Sequence, residues 1–138
     1  MAFPSFADDA AILLAAVGRK EGSRTTVRGV IGTWDMINVD VPSREMIETA
    51  AGALQRAGLV TIDGEWSLRL TAEGARIRRT PRSVSMRALP GALRRLLPTL
   101  SPDPAVVLPE EIYDEALADY LGPRPPLRVL LWRALRRR

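Results

Sequence analysis

SREMIETAAGALQRAGLVTIDGEWSLRLTAEG, residues 43–74, holds a helix cap, an apolar helical stripe, a hairpin and a second helix cap in immediate succession. Ser43 is a helix N-cap, and Glu45 and Glu48 follow in the first turns, where carboxylates suit the helix dipole. Ile47, Ala50, Ala51 and Leu54 recur at three- and four-residue steps, the signature of one buried helical stripe. Gly58 is placed as a C′ glycine that ends this helix. Leu59–Ile62 and Glu65–Leu70 are short β-prone runs flanking Asp63-Gly64, and this dipeptide predicts a two-residue hairpin turn with both residues at positive φ. Thr71 then caps a helix running to about Arg79, which Pro81 stops.

Toward the N-terminus, Ser5 or Asp8 caps a first helix over about 6–18, with Phe6, Ala10, Leu13, Leu14 and Val17 on one face. Gly18 or Gly22 ends it. Thr25 or Thr26 opens a second helix whose stripe is Val27, Val30, Ile31, Trp34 and Ile37. Gly29 and Gly32 weaken it by ~1 kcal/mol each, which close packing against a neighbour would explain. Asn38–Pro42 reads as a turn.

Toward the C-terminus the pattern is less regular. Leu89, Leu93, Leu96 and Leu97 suggest a short helix bounded by Pro90 and Pro98. Pro98, Pro102, Pro104 and Pro109 make residues 98–109 a stiff linker. A further helix opens at Pro109-Glu110-Glu111, with Ile112, Tyr113, Ala116, Leu117 and Tyr120 inward and Gly122 at its end. Residues 127–138 form an amphipathic basic segment, expected as a final helix.

The order helix, helix, turn, helix, hairpin, helix is that of a winged helix-turn-helix. Ala50–Val60 followed by Leu70-Thr71-Ala72-Glu73-Gly74 resembles the leucine, three residues, glycine-leucine-valine … leucine-threonine-x-glutamate-glycine pattern of MarR-like and PadR-like winged-helix regulators. The resemblance spans residues 43–74, about a quarter of the chain. The element order and this resemblance lead to the expectation of a mostly helical α+β fold with a winged domain carrying a two-stranded wing over 1–80. The residues beyond it are expected to form a helical, Pro- and Arg-rich extension over 81–138 serving dimerisation or partner docking. The resemblance also implies that the helix over 43–57 enters the DNA major groove.

Facing away from the buried stripe of that helix are Arg44, Glu45, Glu48, Thr49, Gly52 and Arg56. An arginine here reaches a guanine or a phosphate and Thr49 a base edge, whereas the two glutamates meet the phosphate field. The wing tip, Asp63-Gly64-Glu65, carries two acids where the regulators carry Arg or Lys. Counterion release must then come chiefly from Arg76, Arg78, Arg79, Arg82 and Arg87. Arg24, Arg28 and Ser43 complete the DNA-binding candidates.

The totals narrow the function. Of 138 residues, 46% are hydrophobic but only 5% aromatic, so aliphatic side chains must build the core. Neither cysteine nor histidine is present, which removes disulfides, thiolate metal sites and the commonest general base. The acids of 110–119 read as a solvated face, Trp34 and Trp66 as core, and Gly18-Arg19-Lys20-Glu21-Gly22 lacks the strand and Lys-Ser/Thr ending of a phosphate loop. No enzyme activity, metal or cofactor is expected. With no apolar run of membrane-span length and no basic-then-apolar leader, a cytoplasmic location is expected. Arginine outnumbers lysine nineteen to one, which points to a GC-rich bacterial genome. The net charge of +4 is strongly segregated: −3 over 1–74, +7 over 75–100, −6 over 101–122 and +6 over 123–138. DNA binding in transcription control, as a homodimer, is the leading expectation. The alternative is a non-catalytic interaction module docking on a protein partner.

Overall fold

Thr26, Ser43 and Thr71 each accept, through the side-chain oxygen, a hydrogen bond from the backbone N–H three residues on, at 3.1–3.2 Å. These caps open α2 (Val27–Asn38), α3 (Arg44–Arg56) and α4 (Ala72–Arg79). The computed structural model describes residues 4–122. Before α2 come α1 (Pro4–Ala16) and β1 (Arg24–Thr25); β2 (Val60–Ile62) and β3 (Leu68–Leu70) link α3 to α4; α5 (Leu89–Arg94) and α6 (Glu110–Leu121) follow. The protein is therefore α+β and mostly helical, with one small antiparallel sheet in the order β1-β3-β2. The expected 127–138 helix and the Phe6 side chain lie outside what the structure describes.

The α2 stripe is buried as the spacing predicts, and Trp34 is wholly enclosed. Gly32 faces Tyr120 of α6: an added Cβ would stand 3.3 Å from its ring, so close packing does account for that glycine. In α1 the outcome differs from the one-face expectation. Every residue from Ala10 to Val17 is buried, because α1 runs between α3 and α5 with α2 and α4 also against it. The unbroken apolar run AAILLAAV is what a helix covered on all sides requires.

Two features of the sheet depart from expectation. β1 adds a third strand, pairing Arg24 with Arg69 and Thr25 with Leu68. The hairpin register sets Val60 opposite Leu70 and Ile62 opposite Leu68, but no positive-φ Asp-Gly turn closes it. Asp63 N–H donates to the Ser67 carbonyl and Asp63 Oδ1 accepts from the Glu65 and Ser67 amides, leaving a three-residue loop. Trp66, not glycine, takes the left-handed conformation at φ 59. Burial of its indole and a 3.0 Å hydrogen bond from Nε1 to the Val107 carbonyl offset the strain. The tip carboxylate of Asp63 is held below its usual range by the Ser67 amide and by Arg69.

Residues beyond 81 pack on the same core. Leu89 and Leu93 close over α1, and Leu108 is fully enclosed. On α6 the inward residues pack against α2. Tyr120 Oη donates to Asp35 Oδ2 at 2.5 Å, and Tyr113 Oη donates to the Pro42 carbonyl at 2.7 Å. No helix among the described residues is long and apolar enough to cross a membrane.

At the start of the core, burial and the neighbouring Asp8 push the Asp9 carboxyl up to about 6. A carboxyl with a raised native pKa holds its proton in the fold at pH values where the unfolded chain has lost it. The contribution of Asp9 to stability therefore falls as pH rises from about 4 to about 6, then stays flat. Asp9→Asn should raise the stability near pH 7 by ~1–3 kcal/mol and change it little at pH 4. Urea unfolding at the two pH values measures this; an equal effect at both contradicts it.

Candidate nucleic-acid interface

The outward face of α3 is where the reading residues of a helix-turn-helix would lie, and here the chain's own residues 102–108 cross it. Arg44 and Glu48, one turn apart, pair at 2.9 Å, and together they hold both main-chain groups of Leu108. The Leu108 amide donates to Glu48 Oε2 at 2.7 Å and Arg44 Nη1 donates to the Leu108 carbonyl at 2.9 Å. At the other end Arg56 Nη1 donates to the Pro102 carbonyl at 3.2 Å. Between them Gly52 lets the crossing segment approach. A Cβ at that position would stand 3.2 Å from Val106 Cβ and 3.3 Å from the Asp103 carbonyl oxygen. Trp66 pins the segment from the hairpin side through Val107. The proline-rich stretch expected as a linker is thus a cover, held mainly through its backbone. Thr49 remains exposed beside Pro102 and Asp103.

Several other candidate residues are also engaged within the chain. Ser43 caps α3. Arg24 donates to Ser67 Oγ at 2.7 Å and pairs with Glu65 at 3.5 Å, and Arg28 pairs with Asp119 at 3.2 Å. Arg76 is bound by Glu73, whose carboxyl it holds below the usual range. Arg44 also meets Glu45 at 3.1 Å.

Arg78, Arg79 and Arg82 differ: none has a carboxylate partner among the described residues. Arg78 and Arg79, from the last turn of α4, line a cleft of about 790 Å³ together with Arg19 and Lys20 from the loop after α1. Arg79, Arg82, Arg19 and Lys20 are exposed, while Arg78 is buried. Some sixty residues separate the two pairs in sequence, and the packing of α4 against α1 brings them together. Arg19 and Lys20 stand out in the sequence only inside a glycine-flanked loop that fails the phosphate-loop pattern, so no signal there joins them to α4. Comparison with protein-family profiles, with curated proteins and with solved structures finds no match to this chain.

The chemistry available at this edge is electrostatic. Four cations, two from the loop after α1 and two from α4, line this cleft with no acid beside them among the described residues, a surface suited to phosphate groups.

Proposed function

We propose that the protein is a non-catalytic DNA-binding protein of the winged-helix type that holds the phosphate backbone through one basic edge, Arg19, Lys20, Arg79 and Arg82, without reading bases through α3. The observation that carries this reading is that Arg19, Lys20 and Arg79 gather at one cleft, with Arg82 between two of its wall residues, and have no carboxylate partner among the described residues. Arg56, Arg87 and Arg95 also lack one but do not line that cleft. Arg24, Arg28, Arg44, Arg69, Arg76 and Arg94 have carboxylate partners, whereas the edge cations have none among the described residues. The arrangement of α1, α2, α3, the β2–β3 hairpin and α4 supports the winged-helix assignment. Any sequence preference then arises from DNA shape and deformability, because phosphate contacts carry no base information.

In a salt titration of duplex binding, replacing Lys20, Arg79 and Arg82 together with Ala should flatten the dependence of log K on log salt by about one unit for each phosphate left without its cation. Thr49→Ala should leave the slope unchanged. Normal binding by the triple variant, with loss in Thr49→Ala, contradicts the proposal.

A second reading has its own observation. The α3 face already binds an extended peptide, residues 102–108, through paired side chains and a glycine-lined approach. In that reading the module is an adaptor, and the basic edge docks on an acidic protein surface. Selection from mixed genomic fragments separates the two: a DNA-binding protein retains fragments at moderate salt, and an adaptor retains none.

A further inference from the structure

Within the basic edge, Arg78 is in a different position from its neighbours. Its side chain is 7% exposed, and Nε is buried with no hydrogen-bond partner among the described residues. Nη2 makes one long bond, 3.3 Å, to the Ala15 carbonyl at the end of α1, where the helix dipole favours a cation. Burial and the nearby Arg19 both push its pKa down. Buried charges in folded proteins are ordinarily paired, because an unpaired guanidinium loses hydration and gains nothing in return. Here the walls offer Arg19, Lys20, Arg79, Ser83 and Ser85, and no carboxylate. The residues outside the described range, 1–3 and 123–138, contain neither Asp nor Glu, so no side-chain carboxylate from them completes the pair.

We infer that this cleft is an oxyanion site, in which a phosphoryl group supplies the missing partner of Arg78 while Arg19, Lys20 and Arg79 surround its remaining oxygens and the serine hydroxyls contribute neutral donors. An arginine fork suits a tetrahedral oxyanion, which accepts two parallel N–H bonds from it. This deepens the phosphate-binding reading of the edge and rests on it. The phosphoryl group belongs either to a small free molecule or to a nucleic-acid backbone.

The test uses the full chain and inorganic phosphate, at constant ionic strength maintained with chloride. Thermal unfolding of the wild type should rise by about 3–6 °C when phosphate reaches ten times its Kd, since only the folded state has the site. Arg78→Met should lose this response, and its own melting temperature should match or exceed that of the phosphate-free wild type. Where Arg78→Met fails to fold, Lys20→Ser with Arg79→Ser, both at exposed positions, should weaken phosphate binding at least tenfold with the fold intact. A wild type indifferent to phosphate, or a response that survives all three substitutions, overturns the inference. The source is then read from duplex competition. If phosphate displaces a bound duplex beyond the effect of chloride, the backbone is the ligand; if phosphate binds with the duplex undisturbed, a small molecule is. Both results support the site. Duplex binding without any phosphate response overturns the site alone, and a phosphate response without duplex binding overturns the DNA reading alone.

Discussion

Gly74→Ala is expected to destabilise the protein by ~3 kcal/mol or more, among the largest effects of any single methyl group added to this chain. A Cβ at this position would stand 1.9 Å from the Leu59 carbonyl oxygen and 2.9 Å from its carbon. Neither atom belongs to a side chain that rotates away. The same carbonyl accepts the Thr71 amide at 3.0 Å, and the Gly74 amide donates to Thr71 Oγ1, so the whole junction of β3, α4 and the end of α3 would have to move. Gly64→Ala is the control: its Cβ meets nothing within 4 Å and its φ is not positive, so its effect should stay within ~0.5 kcal/mol. Urea unfolding of the two variants measures the contrast. Equal stabilities contradict the packing of α4 against the start of β2.

Leu54→Ala should cost ~2–5 kcal/mol. Leu54 is fully buried in the last full turn of α3, and its carbonyl accepts the Leu59 amide at 2.9 Å where the chain turns toward β2. The substitution opens a cavity in the core. Its cost depends on how far α1 and the hairpin relax into that space. A variant as stable as the wild type would mean that α3 does not present this face to the core.

These two positions also show why part of the fold is legible in the sequence. Ser43 and Thr71 announce helix starts because their oxygens satisfy local amides, and Leu54 falls in a stripe whose period is set by the helix itself. Those interactions span at most a few residues. The hairpin is legible for the same reason, but its turn is not. Trp66 adopts a left-handed conformation in order to reach Val107, forty-one residues away, and no local preference encodes that. β1 is two residues long, too short to show alternation, and it exists because β3 offers an edge beside it. The site divides in the same way. The cover over α3 is held by Arg44, Glu48 and Arg56 through the backbone groups of Pro102 and Leu108, so residues 98–109 have no side-chain signature of what they do. From the sequence, Glu48 reads as an exposed carboxylate that meets the phosphate field; in the fold its charge is already used by Arg44 and the Leu108 amide. Arg78 and Arg79 stand in the sequence as part of an acid-free run, whereas their union with Arg19 and Lys20 depends on tertiary packing alone.

If α3 is permanently covered and nucleic acid is held elsewhere, amide hydrogen exchange at Leu108, with and without duplex DNA, shows it most directly. In the free protein the Leu108 amide, bonded to Glu48 and enclosed, should be protected, and Glu48→Ala should lose ~1–3 kcal/mol of that protection. On saturation with duplex, the protection at Leu108 should be unchanged. Rapid exchange at Leu108 in the free protein, or loss of its protection when DNA binds, would show that residues 102–108 leave α3 to the major groove and would contradict a permanently covered α3.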